Sequence, residues 1–217
     1  MCRYGDKMAK KYWLHRIGRG KDLSYAFHFD ALRDLLFNKN CLTIGWHELI
    51  YDITAVSDIE THNDAGIRHA ISTNYPGSAP VEAQGLVNFS HFEQGDIVVV
   101  LLIPEYETNF LVVEIQTNKA QSILKVPSYM QSSFLTYILY SSGREIYFDP
   151  IDGFCSHIGH SSVDAGFFHE VKILRNIPRD KMPPQLKTLA NPYINEQAQA
   201  TNFLITKPNI QHEIANL

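Results

Sequence analysis

Several features that would assign this chain to a common class are missing. No apolar run approaches the roughly 18 residues that a bilayer-spanning helix needs, so no membrane partner is expected. Cysteine is scarce: Cys2, Cys41 and Cys155 are odd in number and far apart. No disulfide framework follows, and a reducing, cytoplasmic setting is expected. The basic segment Met1–Lys7 has no apolar stretch behind it, which argues against a secretory leader. Charge is also modest, at 19% of residues with a net of −4. Gly18-x-Gly20 lacks the third glycine of a dinucleotide-binding turn, and there is no Gly-x-Ser-x-Gly elbow for a nucleophilic serine. Repeats and low-complexity tracts are absent too.

What charge there is lies unevenly. Residues 1–22 hold seven Lys/Arg against two Asp/Glu, residues 23–110 hold three against twelve, and residues 111–217 hold nine of each. An acidic middle disfavours a sequence-blind grip on a phosphate backbone, while the basic start leaves one positive edge. At 217 residues, 45% of them hydrophobic, the chain reads as a single domain over 1–217, with 118–166 as an insertion or extra hairpin within it.

The strongest local signal is Gly95-Asp96 followed by Ile97-Val98-Val99-Val100, answered by Phe110-Leu111-Val112-Val113-Glu114-Ile115. A turn pair, a β-branched run and a returning run predict a buried hairpin over about 96–103 and 109–117. Upstream, residues 10–17 alternate as a strand, with Trp13 and His15 on one face and Leu14 and Arg16 on the other. A flexible turn at 18–22 leads to an amphipathic helix over 24–39 carrying Phe29, Leu32, Leu35 and Leu36. Cys41–Trp46 reads as a short strand entering an acidic loop. Thr61 or Asn63 caps a helix that stops before Pro76, and a further helix covers 81–92. Beyond the hairpin, 137–140 and 145–148 suggest a second hairpin, 150–166 a long loop, and 167–174 a strand. A short helix over 177–190 and a last strand over 201–206 complete an α+β pattern with mostly antiparallel pairing, which favours a small barrel.

Ile44-Gly45-Trp46-His47-Glu48-Leu49 with Asp52-Ile53-Thr54, then Phe89-x-x-Phe92-x-x-Gly95-Asp96, then His169–Ile173 with Ile177-Pro178-Arg179-Asp180, resembles PUA-like domains of the EVE and YTH branches. In particular, it resembles the N-terminal modules of bacterial restriction-like proteins. The resemblance covers about 11–117 and 167–206. It implies a PUA-like (EVE-type) small twisted β-barrel with a few flanking helices. It also implies a pocket for a flipped, often modified base, in DNA or RNA, in a prokaryotic restriction or defence context. Segment 118–166 is longer than the connection usual in that family. The nuclease or ATPase domain that often follows such modules is missing, so an effector would be a separate protein.

A flipped base is read by aromatic stacking and by hydrogen bonds to its pairing edge. Trp46, at a strand end before a polar loop, is the leading wall of such a pocket, with Trp13 as a second aromatic. Asn88, Ser90 and His91, just before the hairpin, are candidate polar liners, and Asp52 a candidate acceptor for an exocyclic amine. Lys10, Lys11, Arg16, Arg19 and Lys21 form the one basic patch suited to phosphates. No cofactor is expected, and the reading is of a reader, not an enzyme.

The alternative is a metal-dependent nuclease in which Asp96 and Glu114 bind Mg²⁺, but Gln116 stands where such sites carry Lys. A protein-interaction module docking through 118–166 is a third reading. His157-x-x-His160 with His169 is the nearest approach to a metal cluster, and no cysteine pair completes a zinc site. Cys41 reads as core.

Overall fold

A computed structural model describes residues 10–17, 35–46, 49–50, 52–78, 80–101, 108–122, 146–149, 154–157, 166–194 and 201–217. Among the described residues nine strands are assigned: β1 Tyr12–Arg16, β2 Cys41–Ile44, β3 Ile97–Leu101, β4 Asn109–Ile115, β5 Gln121–Ser122, β6 Ile146–Asp149, β7 Phe154–His157, β8 Phe167–Pro178 and β9 Asn202–Leu204. The helices with assigned bounds are α1 Ile53–Glu60, α2 Asp64–Asn74, α3 Pro80–Ser90, α4 Pro184–Ile194 and α5 Pro208–Ala215. The fold is α+β, with one curled, mixed sheet shaped as a half-barrel and helices on both of its faces. Strand order is β2-β8-β4-β3-β1-β9, with β5 alongside β8, while β6 and β7 form a separate hairpin.

The hairpin signal is realised as β3 against β4, with Ile97 opposite Glu114 and Leu101 opposite Phe110. Gly95 sits at φ 90 in the turn, a backbone that side chains rarely tolerate. Asp96 N–H closes the turn on the Glu93 carbonyl at 3.0 Å. All five residues of β3 are buried, as expected of a strand covered on both faces. Val98, Val100, Leu111 and Val113 face a core shared with α1, α2 and α3. Ile97, Val99, Leu101, Phe110 and Val112 face a second core under α4 and α5. Burying each such side chain contributes about 1.5–3 kcal/mol, which makes this strand pair the centre of the molecule.

β1 runs parallel to β3, with Trp13 opposite Val98. Parallel neighbours need a long crossover; residues 17–96 span it, contributing β2 to the edge of the sheet and α1–α3 to one face. The remaining pairings are antiparallel, as the sequence predicts. β8 is the long girder: its first residues pair with β2 and β5, and its remainder pairs with β4. The register slips between Val112 and Val113, where they face Arg175 and Ile173. That bulge, with Leu174 as the extra residue, bends the strand and helps curl the sheet.

Four expectations need correction. The acidic loop after β2 gives way to α1, because Asp52 Oδ1 caps it by accepting Thr54 N–H at 2.9 Å and Ala55 N–H at 3.1 Å. Residues 146–149 pair with β7 at 154–157 and not with 137–140, so the supposed long loop contains a strand; 137–140 lie outside the described residues. β8 continues to Pro178, and the helix expected from 177 begins only at Pro184, after a 3₁₀ turn over Arg179–Lys181. The C-terminal helix α5, with Pro208 at its start, was not anticipated. Of the helix expected over 24–39, the described part, 35–39, is helical, with Leu35 and Leu36 buried.

Candidate functional site

Trp46 lies two residues past the end of β2 with φ 72. A left-handed backbone is a strained choice for a bulky residue, and its presence marks a position that the surroundings over-determine. Two features hold it there. Gly166 N–H donates to the Ile44 carbonyl at 2.9 Å and the Gly45 carbonyl at 3.3 Å. A Cβ at Gly166 would lie 2.7 Å from the Trp46 carbonyl oxygen, so only glycine fits. On the other side, Leu49 N–H donates to the Trp46 carbonyl at 3.1 Å, and Asp52 N–H donates to the Leu49 carbonyl at 3.1 Å. This relay connects Trp46 directly to the cap of α1.

The indole is half-buried against the inner core, beside Tyr75. Tyr75 meets it edge-to-face, with centroids 4.9 Å apart and an interplanar angle of 90°. Tyr75 is the C-cap of α2, at φ −128 and ψ 67. Pro76 disfavours a helical backbone at the residue before it, which ends the helix there. Trp46 and Tyr75 thus form an aromatic corner at one end of the curled sheet, and Asp52 joins it through the backbone relay.

The other candidates are placed elsewhere. Trp13 is core, 5% exposed, and its indole N–H donates to Asp96 Oδ2 at 2.8 Å. Asp96 also accepts Lys11 N–H at 3.0 Å and Glu93 N–H at 3.2 Å, so its carboxylate ties β1 to the hairpin turn. Asn88 joins α3 to β9, donating to the Asn202 carbonyl at 3.1 Å and accepting from Gln84 at 2.7 Å. Ser90 is fully buried and donates to the Val87 carbonyl at 2.8 Å. His91 Nε2 lies 2.7 Å from Asp64 Oδ1, with His62 edge-on to its ring at 5.1 Å.

The described residues of the basic patch already have partners. Lys10 approaches Glu114 at 3.7 Å and Lys11 approaches Glu93 at 3.2 Å. Arg16 is buried and donates to the Tyr193 carbonyl at 3.3 Å. Arg19 and Lys21 lie outside the described residues. Asp96 and Glu114 are not brought together: Asp96 bonds Trp13 on the inner face, while Glu114, in register with Phe110 and Val112, belongs to the outer face. His169 is buried with both ring nitrogens engaged, and His160 lies outside the described residues. Among the described residues no group of three or more His, Cys, Asp or Glu is arranged to hold a metal ion.

Sequence reading missed a pair of buried histidines. His15 Nε2–H donates to the Thr43 carbonyl at 3.1 Å, which leaves Nδ1 as the acceptor for Asn202 at 3.4 Å. His169 Nε2–H donates to the Phe89 carbonyl at 3.0 Å, and its Nδ1 accepts from Thr117 at 2.8 Å. Both rings pack on Phe89 and Phe92, at 4.9 to 6.3 Å. Burial pushes His15 down to about 4, with the Arg16 and His169 charges acting in the same direction against its backbone hydrogen bond. Burial likewise pushes His169 down to about 4, helped by His62. The one available signal was the alternation that put His15 beside Trp13 on an inward face. Tyr75 was also missed, although an aromatic immediately before Pro76 was a legible clue.

No family model, no curated protein and no solved structure matches this chain. The geometry therefore defines the class by itself: an α+β half-barrel with an aromatic corner at one end.

Proposed function

We propose that this protein is a nucleic-acid-binding reader of the PUA-like (EVE-type) kind, and that the Trp46–Tyr75 corner receives a flipped, modified base in DNA or RNA. The observation that carries the reading is Trp46 itself: an indole held at φ 72 and left half-buried against Tyr75. A residue used only to fill the core has no need of that backbone. A stacking wall does, because the strained turn swings the ring out of the strand's alternation. Asp52, tied to Trp46 through the Leu49 backbone, adds an acceptor: its Oδ1 is committed to the α1 cap, and Oδ2 makes no hydrogen bond or ion pair among the described residues. The order of motifs and the curled mixed sheet support the family reading. A restriction or defence role with a separate effector follows from it.

Binding of the full chain to an oligonucleotide panel, unmodified and carrying modified cytosine or adenine, tests the proposal by fluorescence anisotropy. Trp46→Ala should weaken binding to the preferred modified strand by about tenfold or more, since one base–aromatic stack contributes on the order of 1–3 kcal/mol. Tyr75→Leu should weaken it less. Unchanged affinity in Trp46→Ala would overturn the base-pocket reading.

A further inference from the structure

We propose that the groove between α4, β9 and α5 is a second ligand site that takes a nucleotide, with the base on the Tyr193–Phe203 pair and the phosphate at Lys207. The groove encloses about 590 Å³ and is lined by Gln185, Thr188, Leu189, Tyr193, Phe203 and Lys207, among others. That volume falls within the range of small-molecule sites. It lies on the outer face of the sheet, where Tyr193 and Phe203 pack on the α4–α5 core, and Trp46 belongs to the opposite core.

Three features select the ligand chemistry. Tyr193 and Phe203 stack with centroids 4.9 Å apart and 27° between planes, and both are only partly buried. They present a flat π-surface of the kind on which any base can stack. Lys207 is exposed; its backbone carbonyl caps α5 by accepting from Ile210 and Gln211, while its ammonium makes no hydrogen bond or ion pair among the described residues. Its nearest acidic neighbour in sequence, Glu213, is committed to the Leu186 N–H at 2.9 Å. Residues 166–217 carry six Lys/Arg (Lys172, Arg175, Arg179, Lys181, Lys187, Lys207) against four acids (Glu170, Asp180, Glu196, Glu213), a small cationic excess in a chain whose net charge is −4.

Polar groups line the same groove. Gln185 and Asn209 hydrogen-bond to one another across the groove. Pro192 lies inside α4 and has no N–H to return to the Thr188 carbonyl. A base, a sugar and a phosphate need a flat apolar surface, polar groups and a cation, and this groove is lined by all three. The nucleotide can be free or one unit of a single strand.

Titration calorimetry on the full chain with AMP, adenosine, inorganic phosphate and a short oligo(dA) tests the proposal. Saturable binding of AMP or of the oligonucleotide is expected, with adenosine and phosphate at least tenfold weaker. AMP tighter than the oligonucleotide per site indicates the free nucleotide as ligand, and the reverse indicates the strand. Lys207→Ala should cost about tenfold for the phosphorylated ligands only, and Phe203→Leu should weaken adenosine as well. Trp46→Ala should leave AMP binding unchanged, so this site and the base corner fail independently. No saturable binding at millimolar AMP or oligonucleotide, equal affinity in Lys207→Ala, or loss of AMP binding in Trp46→Ala would each overturn the proposal.

Discussion

Asp96 shows how one side chain can organise a fold. Its carboxylate is 3% exposed and accepts three N–H groups, from Lys11, Glu93 and the Trp13 indole. Removing it leaves these donors without their partner, and each such loss costs about 1–3 kcal/mol when the group is buried. Asp96→Ala should therefore destabilise the protein by about 3 kcal/mol or more in urea unfolding. Trp13→Phe removes only one donor and should cost about 1–3 kcal/mol. Because the two residues share a bond, the double variant should cost less than the sum of the two, which a double-mutant cycle measures. Strict additivity would show that the bond contributes nothing. A Gly-Asp pair before a β-branched run already announces a turn, but the indole that completes the clamp lies 83 residues away. Nothing in the local pattern names it.

Elements in this chain formed where local chemistry and burial agreed, and departed from expectation where burial overruled local chemistry. β3 and β4 are legible because β-branched runs bounded by turn residues suit a covered strand. α1 was not, since Ile53, Thr54 and Val56 are β-branched and weak helix formers. The Asp52 cap and the burial of Ala55 and Ile59 tip the balance. Asp52→Ala should cost about 1 kcal/mol of stability, whereas Asp52→Asn, an equally good cap, should restore it. Urea midpoints of the two variants check this. If Asp52→Asn nevertheless weakens oligonucleotide binding, the carboxylate has a ligand role separate from capping. α5 carried its own signal, Pro208 at the helix start, whereas β7, Phe154-Cys-Ser-His157, has no strand periodicity to read.

At the scale of the whole molecule, the inner core contains two neutral histidines, and this couples folding to pH. In the unfolded chain each takes up its proton near pH 6.5; in the folded state each resists until about 4. Between those values the unfolded state binds more protons, so stability falls as the pH falls. It is fully present above about 6.5 and is lost progressively toward 4. The linkage amounts to roughly 3 kcal/mol per histidine over that window. Urea unfolding at pH 7.5, 6, 5 and 4.5 should show a falling midpoint, and a level profile would contradict the neutral-core assignment.

Turn chemistry and hydrophobic period, which depend only on neighbouring residues, determined by themselves the central hairpin, the strand character of β1, β2 and β9, and the helices α2 and α3. Tertiary structure alone decided which side chains were already committed. Trp13 went to Asp96, Asn88 to β9, Arg16 to the Tyr193 carbonyl, and Asp96 and Glu114 to opposite faces. The physical reason is that a hydrogen bond or an aromatic contact is satisfied by proximity in space. Strand order and curl create that proximity between residues whose separation along the chain carries no trace of it.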